Sequence, residues 1–171
     1  PMVSTEFVEH GGLGSMPYGV NAIVAVSTYG GYNQEDSIMI NKAAVDRGMF
    51  VTTAYRTHVL EEKRKTSKTY ETIEVPPLDV RTKNRSNNYN KLDEDGIVSE
   101  GTHVFKNDVI IGRTCTKLNK DEKEEVSDCS LVLKAGEDGV IDKVLISYNS
   151  EGYKVVKIRI RTLKVPEIGD K

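Results

Sequence analysis

The chain has 171 residues, of which 37% are hydrophobic and 29% charged, and its formal net charge is −2. This length supports one compact domain or two small ones, but the apolar share is low for a self-sufficient core, so we expect part of the chain to bury itself against other segments. No apolar run approaches the ~18 residues of a membrane span, and no secretory leader opens the chain, so we expect neither a membrane protein nor a secreted one.

The cysteines indicate the cellular compartment, and the chain ends indicate whether the sequence is part of a longer protein. Cys115 and Cys129 form no CxxC pair, so neither a disulfide framework nor a zinc site made by this chain alone is expected. Reduced thiols are typical of the cytosol and the nucleus. The chain opens at Pro1 without an initiator methionine and closes on Lys171 just after a strand-like stretch, so we interpret both ends as cuts in a longer protein.

The first 50 residues predict little regular structure. Glycines make residues 5–19 irregular, and the near-continuous apolar run at 22–26 predicts a strand that is buried on both faces. After a glycine-led loop, Asn41 can cap a short helix near 42–47, which Gly48 would end.

From residue 51 the pattern turns to β structure. β-branched and aromatic residues predict a strand at 51–59, whereas the polar stretch 61–91 is typical of exposed strands and loops. A turn at 93–96 leads into a strand, and 109–112 predicts another strand before an acidic loop at 119–128.

The last segment predicts an antiparallel hairpin, with strands at 140–146 and 155–162 and a turn at 149–152. Alternation in the second strand puts Val156, Ile158 and Ile160 on one face and the bases on the other. The fold class that these elements indicate is mainly β with short helices (α+β).

Two adjacent carboxylates, Glu35 and Asp36, lie in the loop between the apolar run and the short helix. Such a pair repels itself unless a cation or a base is near. Carboxylate oxygens suit Mg²⁺, which keeps several waters and is often shared with substrate phosphates. Considered on spacing alone, an exposed acidic turn is the simpler interpretation.

A row of bases lies on the last predicted strand. Lys157, Arg159 and Arg161 are spaced by two residues, so their charges lie about 6–7 Å apart along one strand face, with Lys164 beyond them. Such a row matches the phosphates of a nucleic acid, although a solvated sheet face would have the same pattern.

Residues 31–37 read Gly-Tyr-Asn-Gln-Glu-Asp-Ser and resemble the GYNQEDS signature of the second-largest subunit of cellular and viral RNA polymerases. Gln34 resembles the eukaryotic, archaeal and large-virus branch. The chain ends on residues 166–171, which resemble the family's P-x-I-G-D-K, but its later R-H-G-x-K-G stretch is missing, and 61–90 and 118–130 match no family motif. Further stretches resemble the family in the same order: 19–26, 46–50, 91–98, 108–112, 139–144 and 157–161.

This resemblance implies a DNA-directed RNA polymerase that makes RNA on a template from NTPs by two-metal nucleotidyl transfer. It implies that Glu35 and Asp36 lie near the second Mg²⁺, which arrives with the NTP, and that Lys171 lies near RNA or substrate phosphates. These three are the catalytic residues that we expect. Mg²⁺ is the expected cofactor, shared with the largest subunit and the NTP.

The resemblance also implies an organisation and a set of partners. Residues 1–50 would begin a hybrid-binding region, 51–165 would form the wall or flap, and 166–171 would return to the hybrid-binding region. Expected partners are the largest subunit, other polymerase subunits, template DNA, nascent RNA and NTPs, in the nucleus or cytoplasm, or in a virus factory. The expected nucleic-acid-binding residues are Lys157, Arg159, Arg161 and Lys164.

Two other interpretations stay open. One is a non-catalytic β-rich module that binds nucleic acid or a transcription factor, and the other is a structural spacer. The acidic pair favours the enzyme subunit, since a pure binding module has no need of it, whereas a natural stop just after Lys171 would favour the rivals. In the enzyme interpretation the isolated chain makes no RNA, because the ligands of the first metal lie in another chain.

Overall fold

The computed structural model describes residues 3–16, 19–66, 68–81, 86–118 and 123–171. The chain forms two compact units. The first unit comprises Pro1–Thr52 and Lys164–Lys171, and the second comprises Thr53–Leu163. The functional names given above to 1–50, 51–165 and 166–171 stay predictions.

Short helices are the only regular elements within the described part of the first unit before residue 52. They are α1 (Glu6–His10), a 3-10 helix (Leu13–Ser15) and α2 (Lys42–Asp46). The Asn41 side chain accepts a hydrogen bond from the Ala44 amide at 3.1 Å, which satisfies one of the free N–H groups at the start of α2. Gly48 follows the helix with φ 104°. The predicted helix near 42–47, its cap and its stop are therefore confirmed.

The strand predicted at 22–26 is wrong. Residues 19–26 form no strand and are exposed throughout, with Ile23 at 103% and Val26 at 98% relative exposure. A strand exists only when its backbone N–H and C=O groups pair with a neighbour, and no described segment of this unit pairs with it. The apolar pattern indicated a burial that this chain by itself does not provide.

The described residues form ten strands in three sheets, ordered β1-β10-β9-β4, β2-β3-β6-β7 and β5-β8. This confirms a mainly β fold with short helices. Among the described residues, no helix has the length and apolar character needed to cross a bilayer. The strands are β1 (Thr52–Glu61), β2 (Arg64–Thr66), β3 (Thr69–Ile73), β4 (His103–Val104), β5 (Val109–Ile111), β6 (Arg113–Leu118), β7 (Glu124–Asp128), β8 (Leu131–Val132), β9 (Gly139–Tyr148) and β10 (Lys154–Lys164).

Strands β9 and β10 form the predicted antiparallel hairpin. Asn149 closes its turn, because its side-chain oxygen accepts from the amides of Glu151 and Tyr153, both at 2.9 Å. The register shifts between Arg159 and Ile160, which is a bulge that the alternation did not predict. The strands predicted at 51–59 and 109–112 are confirmed as β1 and β5.

The core lies within the second unit. Its central members are at most 2% exposed, and they come from β4, β5, β9, β10 and the connections between strands. Burying an aliphatic side chain contributes about 1.5–3 kcal/mol, so this cluster is the main source of stability. The central members are Ile97, Val98, Val104, Ile110, Ile111, Leu133, Ile141, Val156, Ile158 and Ile160.

An ion pair between the half-buried Lys91 and the buried Asp108 joins two loops beside this core. The Lys91 ammonium donates to Asp108 Oδ2 at 2.6 Å and to the His103 carbonyl at 2.7 Å. Asp108 also accepts from the Phe105 amide at 2.7 Å and from Asn88 Nδ2 at 2.8 Å. Burial by itself raises the pKa of Asp108, but these hydrogen bonds outweigh burial and leave that pKa below its ordinary value.

Two polar stretches are more ordered than predicted. Within 61–91, strand β3 buries Glu71, whose charge the Arg113 guanidinium balances at 2.8 Å, and Tyr89 is also buried. The acidic loop predicted at 119–128 is wrong for its second half, where β7 pairs with β6. Residues 119–122 lie outside the described part of the chain. The turn at 93–96 is confirmed by the Gly96 amide, which donates to the Asp93 carbonyl at 2.9 Å.

Candidate functional site

The acidic loop, residues 27–37, carries Glu35 and Asp36 in the first unit. Both side chains are exposed. Within the described residues, neither carboxylate has an ion pair or a side-chain hydrogen bond. Both are therefore available to an outside cation.

The side-chain amide of Asn33 stabilises this loop through two hydrogen bonds. Asn33 Oδ1 accepts from the Tyr29 amide at 3.1 Å, and Asn33 Nδ2 donates to the Ser27 carbonyl at 2.7 Å. Gly30 has φ 62° and Gly31 has φ 76°, and glycine adopts both values without steric cost. Sequence reasoning missed this role of Asn33, because its bonds reach back to backbone four and six residues earlier.

A second turn follows immediately and contains the acidic pair. The Ser37 amide donates to the Gln34 carbonyl at 3.1 Å, and the Ser37 hydroxyl donates to the same oxygen. Glu35 has φ 56°, in the left-handed region. Holding a non-glycine residue there costs about 1–3 kcal/mol, so the surrounding hydrogen bonds must enforce this conformation.

The donor chemistry of the pair fits Mg²⁺ in part. Exposed carboxylate oxygens are hard ligands of the kind that Mg²⁺ prefers. No group of three or more His, Cys, Asp or Glu side chains that could hold a metal occurs within the described ranges. The pair can therefore supply part of a shared coordination sphere, with the remaining ligands coming from water, phosphate or another chain.

The basic sheet face lies on β10 and β9 of the second unit. Lys157 and Arg161 are exposed, and neither has an ion pair within the portion that the structure describes. Arg159 differs, since it donates to Asp142 Oδ2 at 2.6 Å and its guanidinium lies 5.3 Å from the centre of the Tyr55 ring. The three predicted bases are thus on one strand, but only two of them are free cations.

The strand register adds a fourth base to this face. Lys143 is the direct cross-strand partner of Arg159, and it is exposed. Directly opposed residues point to the same face of an antiparallel sheet. Sequence reasoning missed Lys143 and the Asp142 bond. The register that runs unshifted from the turn pairs Lys143 with Arg159, so the hairpin pattern could have indicated Lys143. The bond from Arg159 to Asp142 depends on the bulge, which that pattern does not indicate.

Lys164 and Lys171 belong to the first unit. Lys164 Nζ lies 3.8 Å from Asp170 Oδ1, and the other oxygen of Asp170 accepts from the Glu167 amide at 3.0 Å. Lys171 is exposed and directly follows this turn. No hydrogen bond or ion pair in the described part of the chain joins Lys171 to Glu35 or Asp36, so the structure does not bring the three predicted catalytic residues into contact.

Comparison with known proteins identifies the family of the chain. The family model described as RNA polymerase Rpb2, domain 6, matches residues 1–171. The chain belongs to this family. The resemblance to the second-largest subunit of RNA polymerases, predicted from the motifs, is confirmed.

Relatives come from three kinds of source. The chain is 41% identical over 179 residues to the DNA-directed RNA polymerase II subunit RPB2 of Meyerozyma guilliermondii, which covers 100% of the chain and 14% of the relative. It is 42% identical over 171 residues to the RPB2 homolog of Invertebrate iridescent virus 3, covering 100% and 15%. It is 38% identical over 177 residues to the Rpo2 subunit of Sulfolobus acidocaldarius, covering 100% and 16%. The chain therefore spans about one seventh of the length of the curated relatives that it matches.

Proposed function

We propose that this chain forms part of the active centre of a DNA-directed RNA polymerase and contributes to template-dependent RNA synthesis from NTPs. The observation that carries the proposal is the acidic pair. Glu35 and Asp36 are exposed and, among the described residues, unpaired, on a loop that hydrogen bonds hold in a strained conformation. Backbone strain of this kind clusters at functional sites.

The role of the pair follows from charge. The triphosphate of an incoming NTP is strongly anionic, and two further carboxylates would repel it without a cation between them. Glu35 and Asp36 would hold a second Mg²⁺ together with the triphosphate, and that ion supplies charge neutralisation for nucleotidyl transfer. The two carboxylates thereby orient the nucleotide, while the ligands of the first metal come from the largest subunit.

Lys171 has a complementary role in this proposal. Lys171 is exposed and directly follows the turn that Asp170 closes, so the turn fixes the position of the Lys171 backbone. A lysine ammonium is a compact point charge that binds phosphate without a fixed geometry. We assign to Lys171 the binding of RNA or NTP phosphate. Lys164 shares its charge with Asp170 and would contribute less.

The basic sheet face would guide nucleic acid near the upstream end of the hybrid. Lys157 and Arg161 have no ion pair among the described residues, and Lys143 extends the row onto β9. Cations of this kind bind the backbone of any sequence, which suits a path through which the template and the RNA move. The partners in this role are template DNA, nascent RNA and the other polymerase subunits, in the nucleus or at a site of viral transcription.

Replacing the acidic pair in the assembled polymerase tests the proposal. We expect E35A/D36A to slow single-nucleotide addition at saturating NTP by about one to three powers of ten, because auxiliary charge stabilisation is worth a few kcal/mol. Assembly and the DNA–RNA complex should remain intact, since no core side chain is removed. Higher Mg²⁺ or Mn²⁺ should restore part of the rate.

A matched control removes another adjacent exposed acidic pair. Glu124 and Glu125 lie in β7 of the second unit, and E124A/E125A changes the net charge by the same amount. This variant should retain the wild-type rate. A wild-type rate and metal dependence in E35A/D36A would overturn the catalytic proposal and favour the non-catalytic binding module. Failure of E35A/D36A to assemble would assign the loop a structural role.

A further inference from the structure

Asn33 occupies an unusual position in the acidic loop. Residues 19–40 are exposed with one exception, and the exception is Asn33, which is half-buried. Its side chain bonds to no charged group. Both of its polar atoms bond instead to backbone, at Tyr29 and at Ser27.

These two bonds close the loop at its base. The bond from Nδ2 reaches a carbonyl six residues earlier, and the bond to Oδ1 comes from an amide four residues earlier. One side chain therefore links the entry of the loop to its tip. An amide is the one short side chain that donates and accepts on the same planar group, so both bonds constrain a single rotamer.

The acidic pair begins two residues after Asn33. Between them the chain has only Gln34, whose carbonyl accepts both bonds from Ser37. The positive φ of Glu35 falls inside this second turn. The backbone that carries Glu35 and Asp36 is thus anchored on one side by Asn33 and on the other by Ser37, and residues 34–37 are all exposed.

We propose that Asn33 is a positioning residue that holds Glu35 and Asp36 in the orientation needed to bind a divalent cation bound to a nucleoside triphosphate. Asn33 acts through the pair and does not touch the nucleotide. The inference rests on the proposed function of Glu35 and Asp36. Without the amide, the same two carboxylates are present but no longer share one fixed geometry.

The first test separates binding from chemistry. The assembled polymerase is halted on RNA ending in a 3′-deoxynucleotide, and the affinity of the next NTP is measured at several Mg²⁺ concentrations. We expect N33A to weaken NTP affinity about 10- to 100-fold, in line with the cost of a displacement of about 1 Å at a reacting site, and to raise the Mg²⁺ requirement. The affinity of the enzyme for the DNA–RNA scaffold should not change.

Two further variants refine this test. N21A is the matched control, because Asn21 is an exposed asparagine of the same unit without a side-chain hydrogen bond in the described part of the chain. It should behave as wild type. N33D keeps the acceptor for the Tyr29 amide but places an oxygen against the Ser27 carbonyl, and we expect a loss of affinity in the same direction. If N33A does not assemble, the affinity of NTP for N33D replaces that measurement.

Hydrogen exchange of residues 27–37 in the assembled enzyme provides the structural readout. The amides of Tyr29 and Ser37 should exchange faster in N33A than in wild type. Faster exchange with unchanged NTP affinity and Mg²⁺ dependence would show that Asn33 is merely structural and would overturn the inference. Unchanged exchange would show that the two bonds do not hold the loop, with the same consequence.

A mutant cycle separates this inference from the function on which it rests. If Asn33 acts through the pair, N33A combined with E35A/D36A should be no weaker than E35A/D36A alone. Losses that multiply would overturn the positioning role. Wild-type behaviour of E35A/D36A would overturn the proposed function itself, whereas an impaired E35A/D36A with a wild-type N33A would overturn only this inference.

Discussion

The two units of this chain treat their apolar residues in opposite ways. In the second unit Val156 and Ile158 on β10 are completely buried, whereas in the first unit Ile23 and Val26 are fully exposed. Ile23 and Val26 lie in the more continuous apolar run, whereas Ile158 alternates with bases. The difference is the presence of a partner, because β10 lies between two strands and residues 22–26 pair with none in the described chain. The second unit therefore contains its own source of stability, and the first carries the candidate chemistry on a surface that this chain does not cover.

The largest expected effect on stability separates the two units directly. We expect I158A to lower the free energy of unfolding of the chain by about 2–5 kcal/mol, because it opens a cavity in a completely buried position. I23A deletes the same atoms from an exposed side chain and should change it by less than about 0.5 kcal/mol. Urea unfolding followed by circular dichroism provides the measurement. Equal losses in the two variants would contradict the contrast.

The ion pair between Lys91 and Asp108 makes the stability of the second unit depend on pH. The pKa of Asp108 is lower in the folded chain than its ordinary value of about 3.9, so its contribution to stability is fully present above that value. The contribution is lost as the pH falls through the folded pKa. We expect D108N to cost about 1–3 kcal/mol at neutral pH and to flatten the fall in stability below about pH 4.

The control for D108N is D138N, which changes a carboxylate to an amide at an exposed position of the same unit. Unfolding midpoints measured from pH 7 to pH 2 should show the flattened profile in D108N alone. An unchanged acid profile in D108N would mean that Lys91 and its neighbours do not stabilise the charged form of Asp108.

The smallest effects concern the basic sheet face. For binding of single-stranded RNA, we expect K157A and R161A each to reduce the slope of log affinity against log salt by about 0.7, the value for one lost phosphate contact. R159A should reduce it less, because Asp142 already neutralises much of that charge. D142N should strengthen binding a few-fold. Equal effects of all three bases would show that the pair with Asp142 opens in the complex.

The elements that were correctly predicted are those set by local chemistry. Asn41 caps α2 through a bond to an amide three residues away, and the alternation of β10 follows from the two-residue repeat of any strand. The motif around Glu35 and Asp36 also lies within a few residues, so the family and the candidate acidic pair could be predicted directly.

The features that sequence reasoning missed or misplaced depend on neighbours that are distant along the chain. The strand predicted at 22–26 was wrong because no described segment pairs with these residues. The acidic β7 forms a strand because β6 pairs with it. Arg159 was expected to be a free cation, yet a bulge of one residue brings Asp142 to it. A strand, a register and an ion pair each need two segments to meet. The amino-acid sequence by itself thus determined the family, the capped helix and the identity of the acidic pair, and only the tertiary structure decided which charges are free and which apolar residues are buried.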